Sequence, residues 1–166
     1  MQPTLLHPMK DFSADSKVWI YQSDRALTES EVAFVNENAK RFIDAWTTHG
    51  KHMKAHILVF YNRFLVLFAD ESQAEASGCG IDKSVHFFQQ LERSLGINLM
   101  NRLLVAYKEQ DEVKTCSLHA FEKKIESGEI TADTIVFNNL VSSKAEFLAS
   151  WESPLKQSWH SKMLVH

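Results

Sequence analysis

Lys54-Ala-His-Ile-Leu-Val-Phe-Tyr-Asn-Arg-Phe-Leu-Val-Leu-Phe-Ala-Asp70 is the stretch whose reading decides the fold. Residues 54–61 and 63–70 are two apolar runs of strand length, separated only by the turn around Asn62-Arg63, so they read as a β-hairpin. The second run is apolar at both parities, with Phe64, Val66 and Phe68 on one side and Leu65, Leu67 and Ala69 on the other. A half-exposed strand alternates with polar residues, so this one is expected to be covered on both faces.

Working outward, Val18–Gln22 is a short β-branched and aromatic run that reads as a first strand. Thr28 with Glu31 three residues later forms a capping box, and Leu27 with Val32 forms a hydrophobic staple. Val32, Val35, Ala39, Phe42, Ile43 and Trp46 then recur on one helical face, which Gly50 closes. Downstream of the hairpin, a polar loop from Glu71 to Gly80 precedes a second amphipathic helix. That helix is marked by Ile81, Val85, Phe88, Leu91 and Leu95 and stops at Gly96. Leu103–Tyr107 reads as a fourth strand. The order βαββαβ is that of an α/β (α+β) ferredoxin-like fold, with both helices on one face of an antiparallel sheet. The other face then needs the carboxy-terminal third, through Phe147, Trp151 and Trp159, or a second subunit, which makes a homodimer a natural expectation.

That last third adds a short helix bearing Leu118, Phe121 and Ile125, a strand at Thr134–Asn138, and a helix whose capping box is Ser143 with Glu146. Pro154 interrupts it. A final helix is expected with Ser153 as cap and Pro154 at its first position, burying Leu155, Trp159 and Met163. The whole chain, 1–166, is thus read as a single domain, with a βαββαβ core at 18–108 and a mainly helical extension at 113–166.

Composition bounds the partners. With 45% hydrophobic and 23% charged residues among 166, the chain has material for a real core. The net charge of −3 and the scattered basic residues give no concentrated phosphate-binding face, so no nucleic acid is expected. Arg63-Phe-Leu-Val-Leu-Phe68 faintly suggests the aromatic strand of an RNA-recognition module but lacks its glycine. No apolar run has the length of a signal peptide or a membrane span, which points to the cytoplasm and no membrane partner. Cys79 and Cys116, in a reducing compartment, are expected to be free thiols.

The segments Val18-Trp-Ile-Tyr-Gln-Ser23, Ser77-Gly-Cys-Gly-Ile-Asp-Lys-Ser84, Thr134-Ile-Val-Phe-Asn-Asn139 and Ser158-Trp-His160 together resemble an uncharacterised Bacteroidetes protein family, sometimes labelled ABC transporter ATPase. The resemblance spans nearly the whole chain, and Gly80 departs from it where the family has serine. It brings no catalytic residue with it. The ATPase label finds no footing here, since no Gly-x-x-x-x-Gly-Lys-Ser/Thr stretch exists and Gly78 to Ser84 has the wrong spacing.

The most informative polar segment is Ser77, Gly78, Cys79, Gly80, Asp82, Lys83 and Ser84, at the start of the second helix. Backbone N–H groups and the helix dipole converge there, as a small anionic ligand or a Cys79 thiolate would require. The plainer reading makes Gly78 and Gly80 a tight loop, Asp82 a cap and Cys79 a filler. The residues thus leave three functions open: small-molecule or anion binding at this segment, a protein-interaction or oligomerisation module, and a thiol-dependent enzyme. In the last, Cys79 is the candidate catalytic residue and His86 or His160 its base. Asp70, Glu71 and Asp82 could gather near Cys79, but acids at strand ends and helix starts usually solvate or cap. His49, His52 and His56 straddle a glycine without a nearby cysteine and read as surface histidines, not a metal set. No cofactor can be named.

Overall fold

The computed structural model describes residues 3–164. The chain forms two compact units, Met1–Met100 with Ser142–Ala145, and Asn101–Val141 with Glu146–His166.

In the first unit a 3₁₀ turn, Pro3–Met9, precedes strand β1 (Lys17–Gln22). Helix α1 (Glu29–Ala45) begins with the expected capping box, in which Thr28 Oγ1 accepts from the Glu31 N–H and Glu31 accepts from the Thr28 N–H. Both terminal nitrogens of the Arg25 guanidinium also reach Glu31, and with the Thr28 N–H they hold its pKa down to about 2. A small hairpin of β2 (Thr47–Thr48) and β3 (Lys51–His52) turns at His49 and Gly50, with φ of 50° and 77°. The decisive hairpin follows as β4 (Lys54–Phe60) and β5 (Phe64–Asp70), its turn set by Tyr61 and Asn62 at φ 54° and 52°. Helix α2 (Gly78–Leu95) ends at Gly96, whose φ of 62° supplies the left-handed stop.

These strands make a three-stranded antiparallel sheet in the order β1-β5-β4. Every residue of β5 is buried, as its two-sided apolar pattern requires. Leu65, Leu67 and Ala69 share a core with Val35 and Ala39 of α1 and Phe87, Phe88 and Leu91 of α2. Residues opposite one another in the register share a face. Val18 and Phe60 therefore lie beside Phe68 and Phe64 on the sheet's other side, and all four are buried. Burying such a side chain contributes roughly 1.5–3 kcal/mol. The free edge of β1 is capped by the returning segment 142–145, where the Val18 N–H donates to Ser142 O at 3.0 Å and the Lys144 N–H to Ser16 O at 2.8 Å.

The second unit contains β6 (Leu104–Glu109), β7 (Glu112–Ser117), α3 (Leu118–Glu126) and β8 (Ile135–Phe137). Beyond them come α4 (Lys144–Ser150), whose first two residues belong to the first unit, and β9 (Glu152–Pro154). The sheet order is β7-β6-β8-β9, all antiparallel. Its core joins Val105, Tyr107, Phe121, Val136, Leu155 and Met163.

The molecule is thus a mixed helix-and-strand protein with antiparallel sheets, but the strands read as one βαββαβ sheet lie in two. The fourth, β6, pairs with β7 and β8, so the division falls after Met100 rather than between residues 108 and 113. The reason is local. Gln110 and Asp111, at φ 51° and 67°, form a two-residue reversal that pairs β6 with the very next segment, and closing so short a loop costs less entropy than pairing across α2.

A second difference lies at the carboxy terminus. Ser153 and Pro154 do not start a helix but form β9, where Pro154 faces Ile135 on an edge strand that tolerates its missing N–H. The Ser153 hydroxyl is buried without a hydrogen-bond partner among the described residues. Leu155 and Met163 are buried as expected, with Trp159 half-buried, but in 3₁₀ turns, Leu155–Gln157 and Trp159–Leu164. Among the described residues no helix is long and apolar enough to cross a membrane.

Candidate functional site

The segment Ser77–Ser84 is not a loop ahead of α2 but its cap and first two turns. Ser77, not Asp82, is the cap: its Oγ accepts from the Gly80 N–H at 3.1 Å and from the Thr48 hydroxyl at 2.9 Å. The Trp46 indole N–H donates to Gly80 O at 2.9 Å, so the helix start is docked onto the Trp46–Thr48 strand end. The Ser84 hydroxyl, buried, donates back to Ile81 O at 2.6 Å. Neither Gly78 nor Gly80 needs its glycine for a left-handed backbone, and a Cβ at Gly80 would sit 3.6 Å from Ser77 Oγ and Trp46 Nε1, in ordinary contact. Much of the polarity that marked this segment is therefore spent on docking. Lys83 remains exposed, with no ionic partner among the described residues.

The acids do not gather. Burial would raise the Asp70 pKa, yet the Ser13 and Ser72 N–H groups at 2.9 Å and nearby Lys54 outweigh it and hold the carboxylate down to about 2. Glu71 is bonded to Lys17 at 2.9 Å and to the Ala76 N–H at 2.8 Å. His52 bonds Ile43 O, His49 sits in the β2–β3 turn, and half-buried His56 on β4 has its pKa lowered by burial. Among the described residues no three His, Cys, Asp or Glu side chains are placed to hold a metal ion.

Cys79 is exposed, with no hydrogen-bond partner among the described residues, so the thiol–base contact that a cysteine nucleophile needs is not formed. His160 is occupied in the second unit. Its Nδ1 lies 2.6 Å from Ser158 Oγ and its ring stacks on Trp159, while burial and then Lys162 push its pKa down to about 4.

What the helix start does position is a groove between α1 and α2. A cavity of about 460 Å³ has Phe42, Trp46 and Phe87 as its floor, with Phe42 stacked on Phe87 at 4.7 Å and 5.4 Å from Trp46. Arg41, Lys83 and His86 stand around it, with the Asn38 and Gln90 amides between. A second hollow of about 230 Å³ shares Asn38, Phe87 and Gln90 and runs on to Phe34, Leu91 and Arg93. Across both hollows the charged lining residues are cations, Arg41, Lys83 and Arg93, and no carboxylate lines either. Arg41 is tied to exposed Glu37 at 2.6 Å.

Sequence reasoning singled out Lys83 and His86 but missed Arg41, Phe42 and Phe87. A signal existed in the adjacent pair Phe87-Phe88, since neighbours on a helix point about 100° apart and cannot both face one sheet. Phe88 stacks on Tyr21 of β1 at 3.8 Å, which leaves Phe87 for the space beside α1. Compared with known family models, curated proteins and solved structures, the chain matches none.

Proposed function

We propose that this protein is a binding module whose α1–α2 groove takes an anionic ligand with a flat apolar body. The observation that carries this reading is the lining itself: an aromatic floor whose charged neighbours in the lining are cations, on a chain whose net charge is −3. The volume of the larger hollow is that of an ordinary ligand site. Half-buried Phe42 offers apolar contact area, and Arg41 and Lys83 offer charge-assisted hydrogen bonds to a carboxylate, sulfonate or phosphate. Ser77, Gly80 and Ser84 serve the site indirectly, by docking and shaping the turns that present Lys83. Nothing in the arrangement favours a reaction over binding.

Fluorescence titration with 8-anilinonaphthalene-1-sulfonate, set against the uncharged N-phenyl-1-naphthylamine, tests this. The anion should bind saturably and more tightly. Reversing charge in Arg41→Glu and Lys83→Glu should weaken it by about tenfold or more while the neutral dye changes little, because a charged hydrogen bond contributes roughly 1.5–3 kcal/mol. Equal binding of both dyes, or anion binding untouched by the reversals, would refute the proposal.

A further inference from the structure

Resting on that reading, we infer that the natural occupant of the groove is an acidic amphipathic helix of a partner protein. Length is the first argument. The two hollows adjoin at Asn38, Phe87 and Gln90, and the α2 cations that border them run from Lys83 to Arg93. Ten residues of helix span about 15 Å, which is almost three turns of a helix laid alongside.

The apolar contacts come next. Phe34, 38% exposed, and half-buried Phe42 stand two turns apart on α1, above a base of buried Phe87 and Leu91 on α2. The accessible apolar pair, Phe34 and Phe42, matches anchors two turns apart on a partner helix. The groove is also open: Arg41, Lys83, His86, Gln90 and Arg93 are all exposed. A compact small molecule normally buries most of its surface, whereas a helix needs to bury one stripe only.

Charge complementarity chooses the sign. Cations stand at both ends of the groove and on both helices, and no carboxylate lines it, so acidic residues flanking the apolar stripe are matched along its length and basic ones are repelled. Glu37 lies outside the lining, where a partner carboxylate can replace it on Arg41.

The test uses the full chain and a fluorescein-labelled helical peptide of about 14 residues, roughly four turns, with Leu and Phe at i, i+3, i+7 and i+10 and Glu beside them. Two controls keep its length: one has Lys for every Glu, and the other the same composition without helical periodicity. Anisotropy should show the acidic amphipathic peptide binding at least about tenfold tighter than either control. Binding should weaken about tenfold in Lys83→Glu/Arg93→Glu, and in ¹⁵N spectra the perturbed amides should be Asn38, Lys83, His86, Gln90 and Phe34. If the sulfonate dye occupies the groove but the acidic peptide binds no better than its aperiodic control, the helical partner is refuted and the anion site stands. If neither binds, both fall. If the same amides shift with protein concentration alone and light scattering shows a dimer, the occupant is a second copy of this chain and the inference is overturned.

Discussion

The two long hairpins, β4–β5 over a three-residue loop and β6–β7 over a two-residue one, share a left-handed turn and are buried very differently. Each turns through two consecutive non-glycine residues of positive φ, Tyr61-Asn62 in one and Gln110-Asp111 in the other. Yet β5 is buried from end to end, while β7 is an edge strand whose residues are all exposed or half-buried. Hydrophobic periodicity therefore reports how many faces of a strand are covered. It does not report whether the strand pairs, because pairing is done by the backbone.

The largest expected effect separates the two strands by side-chain truncation. Phe68→Ala on β5 should cost about 4 kcal/mol in chemical denaturation, whereas Val113→Ala on β7 should cost less than about 1 kcal/mol. Comparable losses at both positions would break the contrast.

Acid should distinguish the two units next. The His160 pKa is lowered from 6.5 to about 4, so the unfolded chain takes up the proton first. Stability from this group is full above pH 6.5 and is lost as pH falls towards 4, by up to about 3 kcal/mol. The Asp70 carboxylate is lowered from 3.8 to about 2 and contributes about 2 kcal/mol, present above pH 3.8 and lost as pH falls towards 2. Amide exchange followed from pH 7 to 3 should show the second unit loosening before the first, and His160→Gln should flatten the limb between pH 6.5 and 4.

The turns offer a smaller effect. Replacing Gln110-Asp111 by Asn-Gly should raise stability by about 1 kcal/mol, since that pair adopts two positive φ angles at least cost. Asn62→Gly should give only a few tenths, asparagine already tolerating the conformation. Equal gains would imply that the β6–β7 turn is not strained relative to its counterpart.

The smallest change is chemical. Cys116 on β7 is half-buried and its pKa is raised, chiefly by burial and also by Glu129, against the lowering effect of Lys124, whereas Cys79 is exposed. Iodoacetamide on the native protein should label Cys79 first, as peptide mass spectrometry will resolve.

What could be read from the chain follows the same division. The β4–β5 hairpin, the Thr28–Glu31 capping box and the Gly96 stop were legible because each rests on neighbours within a few residues. The ferredoxin-like sheet was not, because Gln110-Asp111 carries no Asn-Gly signature and Glu112–Ser117 has too little apolar alternation to announce a strand that would capture β6. Ser153-Pro154 misled for the opposite reason: a strong local helix signal was overridden by pairing with β8. At Ser77–Ser84 the cluster of small and polar residues was legible, but not that Ser77 and Gly80 bond Thr48 and Trp46 of a distant segment. The groove itself depends on α1 and α2 lying side by side, which no window along one helix can display.

Trp46 joins these threads in one buried side chain. Its indole N–H is held by Gly80 O, and the residue is part of the lining of the groove. Indole emission responds to what bonds the ring nitrogen and to what quenches the ring face, so the protein carries its own optical gauge of whether the groove is filled. With Trp19, Trp151 and Trp159 replaced by phenylalanine, the remaining emission would come from the floor of the groove alone, and would transfer its energy to a naphthalene sulfonate seated there.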